Sequence, residues 1–200
     1  MTFINLLMKN LIGLFVLLLT FCFIAQASYA LDIELGYRRL IPRIGVGEQE
    51  YENESGDKQE IKPIVDSTAL GQSYHFGLRI EEYSIDLDHS EYEYDSTLKA
   101  NTGIVASDTE MTARTEENRI GVNYHLEREL AGVFAGIGIS SIVETLETDD
   151  EDWVFKTYSP YFKLGADLIF GALRARYEQI YLSIGEHSVQ INSFGILIVF

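Results

Sequence analysis

The sequence predicts an all-β protein, an eight-stranded antiparallel up-and-down transmembrane β-barrel over residues 31–200, behind a cleaved N-terminal segment of residues 1–30. Three observations predict it. Apolar residues in the second segment alternate with period two, the apolar set changes parity across short loops, and the first 30 residues are unlike everything after them.

The N-terminal segment comes first. Lys9 supplies a positive n-region, Leu11 to Ala25 is an uncharged run of 15 residues, and Ser28-Tyr29-Ala30 places small residues at −3 and −1 of a cleavage site after Ala30. A spanning helix needs about 20 apolar residues, so the run reads as a secretory signal peptide rather than an anchor. Cys22, the only cysteine, lies inside it, which leaves the mature part without a disulfide or thiolate ligand. All 31 acidic residues follow Ala30, and removing Lys9 leaves 14 basic ones, a mature net charge of −17 that repels nucleic acid and anionic surfaces and gives a phosphate-binding role no electrostatic support.

The strands follow in order. Ile33, Leu35 and Tyr37 alternate at the start of the mature part. Tyr74, Phe76, Leu78 and Ile80 alternate on even numbers; after Glu81-Glu82 the set moves to odd numbers at Tyr83, Ile85 and Leu87. A two-residue hairpin loop requires that switch, because residues 80 and 83 pair and share a face. Phe162 to Phe170, Gly171-Ala172 and Leu173 to Tyr177 repeat the rule, with Gly171 suited to the first position of a type II′ turn. Ile120 to Leu126 and Val133 to Ile139 obey it across a longer turn around Glu127 to Leu130. With Phe194, Ile196, Ile198 and Phe200 at the end, the predicted strands lie near 31–41, 70–80, 83–95, 109–126, 131–146, 153–170, 173–183 and 188–200. Long connections at 42–69 and 96–108 and a medium one at 147–152 alternate with tight ones, as longer outer loops and tight periplasmic turns do; the short connection at 184–187 is the exception. Pro160 inside the sixth strand predicts an outer rim or bulge, since it lacks a ladder donor. Tyr92 and Tyr94, out of phase with Tyr83 to Leu87, predict a bulge or emergence from the bilayer.

Alternation alone fits a soluble lipocalin-like barrel equally well, with its apolar face inward. The other face decides: it mixes glycines with Arg38, Arg79, Arg119, Lys163, Arg174 and Arg176, and with Asp32, Glu34, Asp86, Asp88, Asp167 and Glu178. Such a set suits a crowded lumen filled by ion pairs. The apolar face is aliphatic in mid-strand, with Tyr83, Tyr124, Phe170 and Phe200 toward the turns and Tyr74, Trp153 and Tyr181 toward the loops, the placement of two interfacial girdles. The surplus acids fall in loops at Glu48 to Asp57 and Asp149 to Asp152, expected to be solvated; Glu48 to Glu60 reads as a mobile outer loop.

On these residues the chain resembles the small outer-membrane barrels of the OmpX and OmpA transmembrane-domain type. The last segment carries the resemblance most directly: Ser193, Gly195, Ile198 and the terminal Phe200 are similar to the C-terminal assembly signal of that class, with Ile198 where an aromatic is common. The resemblance implies recognition by the barrel-assembly machinery of a Gram-negative envelope, and contact with outer-membrane lipid and lipopolysaccharide. The expected function is a structural or surface role in adhesion or protection, without catalysis or cofactor. A narrow porin-like channel is the alternative, and a lipid-modifying enzyme the third reading.

Catalytic residues are sparse. His187-Ser188 and His89-Ser90 are adjacent and point to opposite faces of a strand; Ser73 and His75 share a face, but it is the lumenal one, away from a lipid substrate. Asp149-Asp150-Glu151-Asp152 could hold a divalent cation, yet it lacks the spaced ligands of a calcium loop and reads as an ordinary acidic loop.

Overall fold

The computed structural model describes residues 31–44, 49–53, 56, 58–61, 64–65, 69–98, 109–147, 152–184 and 187–200. The expected signal peptide with Ala30, and Asp149 to Glu151, lie outside the described residues.

Among the described residues, eleven strands form one antiparallel sheet: β1 (Leu31–Ile44), β2 (Gln49–Asn53), β3 (Lys58–Ile61), β4 (Ile64–Val65), β5 (Leu70–Ile80), β6 (Tyr83–Leu98), β7 (Thr109–Arg128), β8 (Ala131–Glu147), β9 (Asp152–Phe170), β10 (Leu173–Ile184) and β11 (His187–Val199). Eight of them close the barrel, in the order β1, β5, β6, β7, β8, β9, β10, β11, with β11 returning to β1. Closure is completed by the terminal residue: Phe200 N–H donates to Ile33 O at 3.0 Å, and Ile33 N–H to Phe200 O at 3.2 Å. A closed ladder leaves no sheet edge within the bilayer, where an unpaired backbone group would cost several kcal/mol.

The parity switches correspond to three tight turns. Ile80 pairs with Tyr83, Arg128 with Ala131 and Phe170 with Leu173. The β7–β8 turn is therefore Glu129-Leu130 alone, shorter than the loop expected around Glu127 to Leu130, because the ladder continues through Glu127↔Gly132. Gly171 takes φ +64°, as the first position of a type II′ turn requires, and Glu81 takes φ 56° in the corresponding place without glycine's freedom.

The segment 42–69, expected as an open loop, carries three short strands. β2 and β3 form a hairpin whose β2 edge joins β9 through Glu52↔Val154 and Asn53↔Trp153, and β4 pairs with the outer end of β6. Tyr51 is buried, so this part of the acidic segment packs onto the barrel rim rather than standing free in water.

Two further expectations are corrected. The register of β6 runs without interruption against both β5 and β7, so the bulge at Tyr92 and Tyr94 is absent and emergence from the bilayer is the alternative that fits: they lie past His89, on the inward-facing even positions that continue Asp86, Asp88 and Ser90. Trp153 points inward on the odd, lumenal positions of β9 that include Tyr161 and Lys163, and is 6% exposed, so it is no part of an outer girdle. Pro160 stands at the rim, one residue beyond the last β9–β10 pair, Tyr161↔Leu182.

The outer surface settles the inside-outside ambiguity. Leu87, Val122, Ile137, Leu168 and Ile196 are 45–64% exposed, while Arg38, Asp86, Lys163 and Glu178 are fully buried. This is the reverse of a water-soluble barrel, in which charges are almost never buried and aliphatics face inward. On β7 the outward apolar set runs from Leu126 to Ile120 and gives way to Asn118; on β6 it gives way at His89, and on β8 after Ile139. About nine residues of strand at roughly 3.3 Å each, tilted about 40°, span close to 23 Å, the height of an outer-membrane apolar belt. Tyr83 and Tyr124 pair at 5.4 Å toward the tight turns, and Tyr37 and Tyr74 at 5.7 Å toward the loops.

Candidate functional site

The site is the barrel interior, and strand parity builds it. Each strand's alternate residues point inward, so short runs such as Ser84, Asp86, Asp88, Ser90 on β6 and Arg174, Arg176, Glu178 on β10 place one polar side chain every second residue in a common space.

At the turn end, Glu127 accepts hydrogen bonds from both Arg79 and Arg174, and Arg79 Nε also donates to Glu81 O at 2.9 Å. One layer further in, Asp167 takes Arg176 bidentately at 2.8 and 2.9 Å, and Arg176 reaches Glu34 at 3.2 Å. Lys163 donates to Asp86 at 2.7 Å. Above them Arg38 bridges Asp88 and Glu178, and His75 Nδ1 lies 2.7 Å from Asp88. The uppermost polar layer joins Arg119 to Glu117 at 2.9 Å and to Ser90 at 2.9 Å, with Ser140 donating to Glu117 at 2.6 Å. Each charged side chain in these layers thus faces an opposite charge, the condition under which the low interior dielectric is tolerated.

Phe134 crosses this network. Its ring stacks on His125 at 5.2 Å and carries the Arg176 guanidinium 4.5 Å from its centroid. Gly165 makes the room: a Cβ there would lie 2.2 Å from Phe134 Cζ. Gly195 does the same for Arg38, whose Cγ would be 2.3 Å from an added Cβ.

The interior changes character toward the loops. Leu40, Tyr92, Ile142, Tyr161, Ile180, Leu182, Val189 and Ile191 form an apolar cluster above the charges, against the expectation of a polar lumen throughout. Beyond it Tyr51, Ala69, Tyr94, Ala113, Leu146 and Trp153 form a second one, holding the β2 strand to the rim. Within it Glu144, 1% exposed, accepts Tyr51 OH at 2.5 Å and Tyr94 OH at 3.1 Å on the same oxygen. Glu144 stands beyond the apolar belt, and burial pushes its carboxyl above the ordinary range of 4.5, its two tyrosine donors opposing the rise. Burial and the neighbouring Glu144 raise both tyrosines too.

Arg38, Arg79, Asp86, Arg119, Lys163, Arg174, Arg176 and Glu178 all sit in this interior, as do the proposed partners Glu34, Asp88 and Asp167. Asp32 has no ion pair among the described residues. Sequence reasoning missed Glu117, Glu127, Glu144 and Phe134. All four share strand parity with recognised lumenal residues, Glu117 and Glu127 with Arg119 on β7 and Phe134 and Glu144 with Gly136 on β8, and extending that parity along both strands would have found them; Glu127 was assigned to a turn instead. Ser193 is buried beside Glu178, while Ile198 and Phe200 are 45% and 63% exposed on the outer face.

Ser73 and His75 do not pair: Ser73 Oγ accepts from Ser90 at 3.0 Å and from Arg38 at 3.3 Å. A different serine approaches an imidazole, Ser84 Oγ at 2.9 Å from His125 Nε2, but it also donates to Asp86 and accepts from Asn123, and neither residue is more than 2% exposed. The Ser84 hydroxyl is taken up within the interior network. His125, Glu127 and Asp167 bring ligand-type atoms within 4.8 Å of one another, but Arg79, Arg174 and Arg176 already occupy those carboxylates with fixed positive charge.

Apolar exterior, paired charges within and tight turns at one end define an eight-stranded β-barrel of the outer-membrane type. The same fold occurs in Neisserial surface protein A, with a TM-score of 0.53 at 9% identity over 84% of this chain and 96% of that one. It occurs in Ail, the attachment invasion locus protein of Yersinia pestis, in complex with the heparin analogue sucrose octasulfate: TM-score 0.51, 10% identity, 85% and 97% covered. The outer membrane protein AlkL in lipid bilayers gives 0.51 at 13%, with 84% and 90% covered. At these identities the likeness is one of fold. No protein-family model and no curated protein matches the chain.

Proposed function

We propose that this chain is an integral outer-membrane protein with a structural or surface-presenting role, its interior closed to solutes and without catalytic chemistry. The observation that carries the reading is the reversal of polarity: buried ion pairs inside, an exposed aliphatic belt about one bilayer core tall outside. Two stacked obstructions support a closed interior. The charge network spans the turn half, and the apolar cluster around Tyr92 and Ile142 spans the loop half. A water-filled porin carries its polar lining around open space; here opposite charges meet across the axis instead. Adhesion or protection remains the expected use of the loops.

Fractionation with a heat-modifiability gel tests the location: a band that migrates differently unheated and boiled should appear in the outer-membrane fraction. Planar-bilayer recording tests the closed interior, with negligible steady conductance expected; reproducible unitary channels would establish the porin reading in its place.

A further inference from the structure

The outer rim is uneven. β9 extends to Asp152, nine residues beyond its last pair with β10, while the β10–β11 hairpin ends at the pair Ile184↔His187, two residues above Val189, the partner of the last β1 residue, Ile44. β9 therefore loses its β10 partner above Tyr161↔Leu182 and meets β2 only at Val154 and Trp153. Among the described residues, 155–160 have no strand partner on that edge, and Ser183 N–H turns to Ser159 Oγ at 3.1 Å.

A groove of about 740 Å³ opens at this notch. Register places Arg43, Gln190, Tyr181 and Phe162 side by side across its outer wall, and Leu182 and Val189, members of the interior apolar cluster, line it from within. Phe162 and Tyr181 stack at 5.1 Å with 13° between their planes. Phe162 lies eight residues from the turn-side Phe170, about 20 Å of membrane depth at roughly 3.3 Å per residue and 40° tilt, which is the outer border of the belt.

The charge is local and opposite to that of the whole chain. None of the described lining residues is acidic in a protein with 31 acidic residues. Arg43 lines the groove and Arg39 shares its outward face four residues earlier; neither has a carboxylate partner among the described residues, whereas every buried arginine has one. An apolar slot ending on an unpaired guanidinium at a bilayer interface matches an acyl chain that ends on a phosphate.

We propose that this groove seats one phosphorylated glycolipid of the lipid A type, an acyl chain lying against Phe162, Tyr181 and Leu182 and a phosphate on Arg43. The assignment rests on the outer-membrane reading, which puts the notch in the outer leaflet.

Native mass spectrometry of the full mature chain, folded in detergent, tests it with lipid A, phosphatidylglycerol and phosphatidylcholine as separate probes. The wild type should retain one lipid A at concentrations about tenfold below those needed for either phospholipid. Arg43→Gln should weaken retention about tenfold and Ser183→Trp, which fills the slot from an exposed position, should abolish it; Arg114→Gln on β7 should change nothing. Equal retention by wild type, Arg43→Gln and Ser183→Trp overturns the proposal, and so does phosphatidylglycerol binding as tightly as lipid A. A wild type without a heat-modifiable band in the outer membrane overturns the location instead, while that band together with groove-independent binding overturns the groove alone.

Discussion

Arg38 shows how much depends on single residues in this lumen. It is fully buried, bridges Asp88 and Glu178, and fits only because position 195 is glycine. Arg38→Met removes one cation and strands two buried carboxylates, a change expected to destabilise the barrel by about 3–5 kcal/mol in urea unfolding. On the opposite face, Leu78→Arg places a charge against lipid at a cost of roughly 2–4 kcal/mol near the midplane, so the variant should insert poorly while Ser73→Thr, a lumenal change that keeps the hydroxyl, assembles better. Equal insertion of Leu78→Arg and wild type would contradict the facing assigned here. Glu81 is a smaller case. Its φ of 56° strains a residue with a Cβ, so Glu81→Gly should raise stability by about 0.5–1 kcal/mol, read as a shift in the unfolding midpoint.

At the scale of elements, the β2–β3 hairpin is held to the rim by its two pairs with β9, by the apolar cluster around Tyr51 and by one buried carboxyl. Glu144 takes two tyrosine donors and has no ion-pair partner among the described residues. Tyr51 faces it from β2, Tyr94 and Tyr92 from β6; Glu117 and Arg119 on β7 act on Tyr92. Because burial raises its folded-state pKa above 4.5, the protonated form is the one the fold accepts. The docking contribution is therefore fully present below pH 4.5 and declines as pH rises through the elevated value. Trp153, packed in the same cluster and the only tryptophan, reports it: its emission should shift toward that of an exposed indole as pH rises from 4.5. Glu144→Gln should flatten that response, and an unchanged response in the variant would remove Glu144 from the explanation. The uneven strand lengths belong to this scale too, since a β10–β11 hairpin as tall as β9 would close the notch that the groove occupies.

For the whole molecule, closure is the event on which everything else depends, and it is completed at the chain's last residue. Phe200 pairs with Ile33 through its backbone and presents its ring outward to lipid. Phe200→Ala keeps the backbone pair and loses the ring. It should slow appearance of the heat-modifiable band in cells while detergent refolding of the purified chain proceeds nearly as for wild type; equal loss in both settings would assign Phe200 to stability rather than assembly. Two layers of different chemistry then block the axis, so removing either alone should leave conductance low.

Period two and the parity switches at 81–82 and 171–172 determined by themselves the eight barrel strands, their order and which residues share a face, because a pleated strand ties each side chain's direction to its residue number. They also put Arg38, Lys163, Arg176 and Glu178 together on one face. Partner choice within that face came only from the tertiary structure, since Arg38 and Glu178 are 140 residues apart and meet over the intervening strand β11, where Gly195 leaves room. The same holds for the hairpin inside 42–69, whose charged sequence reads as loop and whose Tyr51 becomes structural only when β9 rises beyond β10 to receive it. Trp153 was misplaced because aromatic character suggested an interface, when its odd number already assigned it to the interior. Local periodicity encodes facing; contacts between distant strands depend on how far each one rises around the closed ring, and that is a property of the assembled barrel.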